Sequence, residues 1–151
     1  MSAIGRDAIN IRCMTISDID SIMAPIKKTT NVKTPSVYQD LTAYGLGRPL
    51  DLSLAAEAEG HIVGFVIAHL EYVYVPLLEV CPIHVTIVDP EYQRRNIGSA
   101  LISALSSHCH FQGIGKLRAL VRQDDDELQK FIEHLGFHPS SMVNWDKTCE
   151  A

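Results

Sequence analysis

The sequence predicts a mixed fold in the α+β to α/β range: one mostly antiparallel sheet with helices packed against it. Three observations carry that expectation. The middle of the chain alternates apolar and polar residues with period two, as strands do. The segments around it place apolar residues at helical spacing. Read in order, the elements run β-α-α-β-β-β-α-β-α-β. A length of 151 residues, with 46% hydrophobic and 21% charged residues, fits a single globular domain over residues 1–151. A chain of this length buries about 70% of its unfolded surface and needs neither metal nor disulfide to hold a core.

Each element has its own signal. Ala8–Met14 alternates and is β-prone, giving a first strand. Ser17, followed by Asp20, opens a helix whose apolar face is Ile19, Ile22, Met23 and Ile26, and Pro25 should kink or end it early. Thr34-Pro35 reads as an N-cap with proline at the first helical position; Tyr38, Leu41 and Tyr44 form the buried face and Gly45 the end. Leu52, Leu54, Ala56 and Ala58 then alternate with polar or small neighbours as a second strand. A turn at Glu59-Gly60 leads into a third strand, Ile62–Tyr72, so the two form a hairpin. Beyond Pro76 a fourth strand runs from about Leu78 to Val88 and stops at Asp89-Pro90. Ile97, Leu101, Ala104, Leu105 and His108 mark a helix with Gly113 just past its end. Leu117, Ala119 and Val121 form a short fifth strand. Asp124 and Glu127 cap a last helix with the face Leu128, Phe131, Ile132 and Leu135, stopped by Gly136. Met142–Trp145 is expected as a final strand.

Composition excludes several function classes. Thirteen Lys and Arg against eighteen Asp and Glu give a net charge of -5, without the basic stripe of a nucleic-acid binder. Cys13, Cys81, Cys109 and Cys149 are scattered with no C-x-x-C pair, so neither a zinc ribbon nor a thioredoxin-type motif is written here. Met1–Asn10 lacks the apolar core of a signal peptide, and no apolar run approaches the ~18 residues of a membrane span. Reduced thiols in a cytoplasm are the expectation. His108-Cys109-His110 looks like metal-ligand material, but adjacent helical residues point about 100° apart and do not readily share one ion. No metal site is expected.

The stretch that carries chemistry is Val88-Asp89-Pro90-Glu91-Tyr92-Gln93-Arg94-Arg95-Asn96-Ile97-Gly98-Ser99-Ala100. A long strand ends, a polar loop turns, and a helix starts. The first N–H groups of a helix have no acceptor within it and lie at the positive end of its dipole. Such a turn is a ready site for a phosphate or pyrophosphate. Gly98 lets a phosphate approach bare backbone, and Arg94 and Arg95 add charge. The same residues also allow a plain strand-turn-helix with solvated arginines.

This stretch resembles the acetyl-CoA signature of the GNAT-type N-acetyltransferases, Gln-x-x-Gly-x-Gly/Ala at a helix start after Val-x-Pro at a strand end. Here it is Gln93-Arg94-Arg95-Asn96-Ile97-Gly98 after Val88-Asp89-Pro90. Leu128–Phe137 is similar to the family's helix running into Leu-Gly-Phe, and Ala58–Phe65 to its second and third strands. The element order matches throughout the chain. The resemblance implies the GNAT acyl-CoA N-acyltransferase fold, a mixed sheet of six to seven strands flanked by about four helices and splayed between its fourth and fifth strands. It implies an acyltransferase that moves the acetyl group of its co-substrate, acetyl-CoA, directly to a primary amine of a small molecule or protein. The alternative is a GNAT-fold sensor or regulatory module that binds acetyl-CoA or CoA without turnover. Acetyl-CoA and the amine acceptor would be the partners, with no nucleic acid and no membrane; a homodimer is compatible with the resemblance.

The resemblance also implies site residues. Thr86, Ile87 and Val88 would pair their backbone with the pantetheine arm along a strand that carries a bulge. Gln93, Arg94, Arg95, Asn96, Ile97, Gly98 and Ser99 would surround the pyrophosphate, with Asp125 and Phe131 near the cofactor. The protein would supply proximity, backbone donors for the developing oxyanion and a route for the amine proton. Against the family pattern, Asn96 stands at the first Gly, Asp125 at an Asn, Ile132 at the Tyr often used as general acid, and Leu120 where a carboxylate base sometimes lies. His84 matches a fourth-strand position where some members place a His facing the substrate, and its imidazole could relay a proton. Tyr38, Tyr44, Tyr72 and Tyr74 fall in regions that commonly line the acceptor pocket, and Glu71 and Asp40 could select a cationic amine. Cys81 has no basic partner and is expected to be a buried thiol.

Overall fold

The computed structural model describes residues 9–29, 46, 51–74 and 77–150. The chain divides in sequence into two compact units, Met1–Leu120 and Val121–Ala151. In the first unit, six strands form one sheet: β1 Asn10–Cys13, β2 Leu54–Ala58, β3 His61–Ala68, β4 Glu71–Tyr74, β5 Leu77–Val88 and β6 Leu117–Ala119. Their order is β1-β2-β3-β5-β4, with β6 also pairing β5. Every pairing is antiparallel except that of β5 with β6. Among the described residues two helices belong to this unit, α1 Met23–Thr29 and α2 Ile97–Phe111; a third, α3 Asp126–His134, lies in the second unit. This is the mixed, mostly antiparallel architecture expected. The helix expected over Thr34–Gly45 lies outside the described residues.

The β2–β3 hairpin turns on Glu59 and Gly60, both left-handed at φ 51° and 79°. Two positive φ values in a two-residue turn match the right-handed twist of the strands they join. The strand expected over Ile62–Tyr72 is broken in two. Pairing with β5 lapses after Ala68, opposite Ile83, and resumes at Glu71, opposite Val80; Pro82, which stands on β5 across from the break, has no N–H to give the ladder. On the β2 edge the Ser53 hydroxyl donates to the Ala68 carbonyl at 3.2 Å and accepts from the Ala68 N–H at 3.1 Å.

The first helix starts later than its periodicity suggests. Thr15 caps a 3₁₀ turn, Ile16–Asp18, and Asp18 accepts from the Thr15 N–H at 2.8 Å. α1 proper begins at Met23, which puts Pro25 in its first turn. There a missing N–H removes no intrahelical bond, so the proline neither kinks nor ends the helix. Ile22 and Ile26 pack with Met14, Phe65 and Ile87 on one face of the sheet. The neighbouring Gly64 faces the other way, where α2 buries Ile97, Leu101 and Leu105. α2 ends at Gly113, left-handed at φ 81°, whose N–H bonds to His110 O at 3.0 Å while Ile114 N bonds to Cys109 O at 2.8 Å.

In the second unit α3 is capped by Asp125, whose carboxylate accepts from Leu128 N at 3.1 Å. The cap expected at Asp124 falls one residue short, because that carboxylate is held by Arg122 at 2.9 Å. Gly136, at φ 96°, follows the end of α3. Met142–Trp145 is not a strand. Four alternating residues are a weak signal, and Val143 and Trp145 are 75% and 92% exposed. Among the described residues no helix is long and apolar enough to cross a membrane.

Candidate active site

β5 is the strand around which the candidate site is built. Along one edge it pairs with β3 and β4, and along the other with β6. β6 is short and pairs only with Cys81, Pro82 and Ile83. Among the described strands none pairs with that edge of β5 beyond Ile83, so the sheet opens between the two parallel neighbours. The register also slips there. Ile67 faces Val85 but Ala68 faces Ile83, which leaves His84 as the extra residue of a bulge.

The register decides which backbone groups face the opening. Asp89 N donates to Val63 O at 2.7 Å, and antiparallel alternation then turns the polar groups of Ile87 and Val85 toward β3. Those of Thr86 and Val88 point away from β3, toward the edge that β6 has left. The Val88 carbonyl accepts from Gln93 Nε2 at 3.2 Å. Ile87 is paired with Phe65 and its side chain is 6% exposed in the α1-side core. The backbone groups that face the opening are thus those of Thr86 and Val88, with Ile87 committed to the sheet.

The loop after β5 is held from several sides. Asp89, 6% exposed, accepts from Glu91 N at 3.0 Å and from Lys28 Nζ at 3.0 Å. The latter contact pins α1 to the strand end. Arg94 and Asn96 are both left-handed, at φ 66° and 61°. Each such non-glycine residue costs about 1–2 kcal/mol, and Asn is among those that tolerate it best. Its presence at the first glycine of the signature therefore preserves the backbone that glycine would adopt. Asn96 precedes α2, and its side chain caps none of the helix amides. The first intrahelical bond at this end runs from Ala100 N to Asn96 O at 2.9 Å, so the N–H groups of Ile97, Gly98 and Ser99 have no acceptor within the helix. The Ile97 side chain is buried at 3% exposure and serves the core. Arg95 lies over the Tyr92 ring, 5.0 Å from its centroid, and both arginines are exposed.

His84 has a partner that the sequence reading missed. Its Nε2 is 2.8 Å from His69 Nδ1, with the rings stacked 4.4 Å apart at 18°. His69 Nε2 lies 3.0 Å from Glu71 Oε1. A carboxylate only accepts, so His69 carries a proton on Nε2, and in its neutral form it presents a bare Nδ1 to His84. Neutral His84 then donates from Nε2 and keeps its lone pair on Nδ1. Partial burial, and secondarily the nearness of His69, pull the His84 pKa below that of free imidazole, while Glu71 pulls the other way. The ring is thereby kept neutral and able to accept a proton. The signal available in the sequence was His69 two positions before Glu71 at the strand break, which acquires meaning only when the bulge swings His84 alongside.

Cys81 is fully buried beside β6. Its contact with Cys109, together with burial, pushes its thiol pKa up, which suits a packed thiol rather than a nucleophile. In the second unit, Asp125 is the α3 cap, Phe131 is 41% exposed and Ile132 half-buried on the same helix.

The fold is that of known N-acetyltransferases. The chain superimposes on an aminoglycoside N-acetyltransferase, AAC(6')-Iy, in complex with CoA, with a TM-score of 0.81 at 20% identity over 95% of this chain and 97% of that one. It matches the aminoglycoside 6'-N-acetyltransferase AAC(6')-Ih of Acinetobacter baumannii with a TM-score of 0.77 at 18% identity over 95% and 99%. Glucosamine-6-phosphate N-acetyltransferase of Arabidopsis thaliana matches with a TM-score of 0.70 at 19% identity over 95% and 100%. No curated protein sequence matches. Residues 18–137 match the model of the Acetyltransferase (GNAT) family, and the chain belongs to that family. It is an acyltransferase, of a class that takes acetyl-CoA as co-substrate.

Proposed function

We propose that this acyltransferase moves the acetyl group of acetyl-CoA to a primary amine, on a small molecule or a protein, within a ternary complex. The observation that carries this reading is the continuity of an opened strand edge, at Thr86 and Val88, with a turn whose first helical amides have no acceptor in the helix. The backbone of Thr86 and Val88 pairs with the pantetheine arm. The loop Gln93–Asn96 and the amides of Ile97, Gly98 and Ser99 cradle the pyrophosphate, with Arg94 and Arg95 adding charge at the rim. Asp125 and Phe131 are the second unit's candidates for cofactor contact. His84 Nδ1 takes the proton of the incoming ammonium, and His69 stabilises the imidazolium that results by accepting from its Nε2. The free amine attacks the thioester carbon and a C–N bond forms; the nitrogen gives its second proton to water, and the collapsing intermediate breaks the C–S bond and expels CoA as thiolate. Ile132 has no proton to give; the thiolate leaves unassisted and is protonated from water.

The acceptor class follows from the charge near His84. Glu71 and the half-exposed Tyr72 offer a cationic amine a carboxylate and a ring face. The structural neighbours that act on aminoglycosides and an amino-sugar phosphate favour an amino-sugar-like acceptor. A cytoplasm is the compartment we propose, a reading supported by the four free thiols.

Two variants test the reading together. Gly98→Glu puts bulk and like charge where the pyrophosphate would sit, and calorimetry should record a loss of CoA affinity of at least about a hundredfold with the melting curve retained. His84→Ala should leave CoA affinity alone and lower turnover at neutral pH by about 10²-fold or more, measured by thiol release over an amine panel. Unchanged CoA affinity in the first variant removes the cradle; unchanged turnover in the second removes the base.

A further inference from the structure

We infer that His69, Glu71 and His84 form a binding site for a divalent transition metal of the zinc type, and that the bound ion switches the enzyme off. Three elements bring these side chains together. His69 and Glu71 flank the break between β3 and β4, and His84 is the extra residue of the β5 bulge. One ligand atom from each lies within 4.8 Å of the other two. The two nitrogens that face each other, His69 Nδ1 and His84 Nε2, are 2.8 Å apart. In a tetrahedral zinc site with arms of 2.0–2.1 Å, two nitrogen ligands stand about 3.3 Å apart. An opening of roughly half an ångström between the rings therefore admits the ion.

The surroundings favour this occupant. Glu71, 3.0 Å from His69 Nε2 in the ion-free protein, would exchange that hydrogen bond for the ion as its carboxylate ligand. Two imidazoles and a carboxylate suit zinc, nickel or copper, whereas magnesium and calcium prefer an all-oxygen shell. The cluster is open to solvent, with Glu71 and the His69 ring 51% and 37% exposed, so an ion has an entry path and water completes its shell. No cysteine joins it, which separates the site from the closed structural zinc centres.

The consequence for catalysis rests on His84 being the base. Without metal, His84 carries its proton on Nε2 and its lone pair on Nδ1. A metal at Nε2 displaces that proton to Nδ1, the nitrogen that would have received the amine proton. Occupancy and base catalysis are therefore mutually exclusive at one imidazole.

The test uses zinc chloride alone, titrated into the full chain in chelator-free buffer by calorimetry. One equivalent should bind with micromolar affinity. His69→Ala and His84→Ala should each weaken binding at least about tenfold and Glu71→Gln about tenfold, with His110→Ala, on the surface of α2, unchanged. Imidazole NMR spectra should show two histidines responding to the ion, and melting curves taken without zinc confirm that each variant folds. Failure to bind below about 0.1 mM, or binding that survives loss of both His69 and His84, overturns the site. Turnover should fall as zinc fills the site and return with chelator. Binding with undiminished turnover would keep the site and remove His84 as the base, so the two readings fail separately.

Discussion

Asp18 shows how much one side chain can organise. It accepts from both terminal guanidinium nitrogens of Arg12, at 2.8 and 2.9 Å, and from the Thr15 N–H at 2.8 Å, while Arg12 Nε reaches Glu57 at 2.8 Å. One carboxylate thus ties β1 to the turn that starts α1, and its guanidinium partner reaches β2. The hydrogen bond with Arg12 holds the Asp18 pKa below the ordinary carboxylate value, against the effect of burial. A group with a depressed folded pKa stabilises the fold fully above its unfolded value of about 4, and loses that contribution as pH falls through the lower folded value. Urea melts from pH 7 down to 2 should show the loss confined to that acid window. Asp18→Asn should cost about 1–3 kcal/mol at pH 7, at the lower end because the Arg12 side chain is 34% exposed, and should flatten the acid limb. An equally steep acid limb in the variant would assign acid unfolding to other carboxylates.

Among the elements, the contact between α2 and the sheet bears most directly on the site, and Gly64 sets its closeness. A β-carbon there would lie 3.2 Å from the Ile87 carbonyl oxygen and 3.3 Å from both Ile97 Cγ2 and Leu101 Cδ1. The two side chains can yield a few tenths of an ångström; the strand carbonyl yields less. Gly64→Ala should therefore lift the first turn of α2 from the end of β5, costing about 1–3 kcal/mol in a denaturant melt. CoA affinity should fall several-fold, since that turn carries the candidate anion cradle. Full retention of both quantities would mean that the close approach is incidental. The signals that were legible in the sequence were local ones: the Glu59-Gly60 turn, the period of α2, and the strand-turn-helix signature. What was not legible depends on partners far along the chain. Pro25 is harmless only because α1 starts late, β3 stops opposite Pro82 of β5, and His69 matters only because a bulge brings His84 beside it. Met142–Trp145 had the pattern of a strand, yet Val143 and Trp145 stand exposed. The site followed the same division: the residues of the turn could be named from sequence, whereas the commitment of Ile87 to β3 required the register.

At the scale of the whole molecule, β5 is the strand with the most partners, meeting β3, β4 and β6. Its last residues serve two masters in alternation, the sheet on one side and the open edge on the other. That alternation has a signature in amide hydrogen exchange, where protection follows whether an N–H is held within the structure. In the protein without cofactor, Ile87 and Asp89 should exchange slowly and Thr86 and Val88 quickly, although all four follow one another in sequence. Filling the edge with CoA should slow Thr86 and Val88 by at least about tenfold and leave their neighbours where they were. A strand that exchanged uniformly before and after would have no open edge to fill. Solvent deuterium thus distinguishes, residue by residue, the half of β5 that holds the fold together from the half kept in reserve for a ligand.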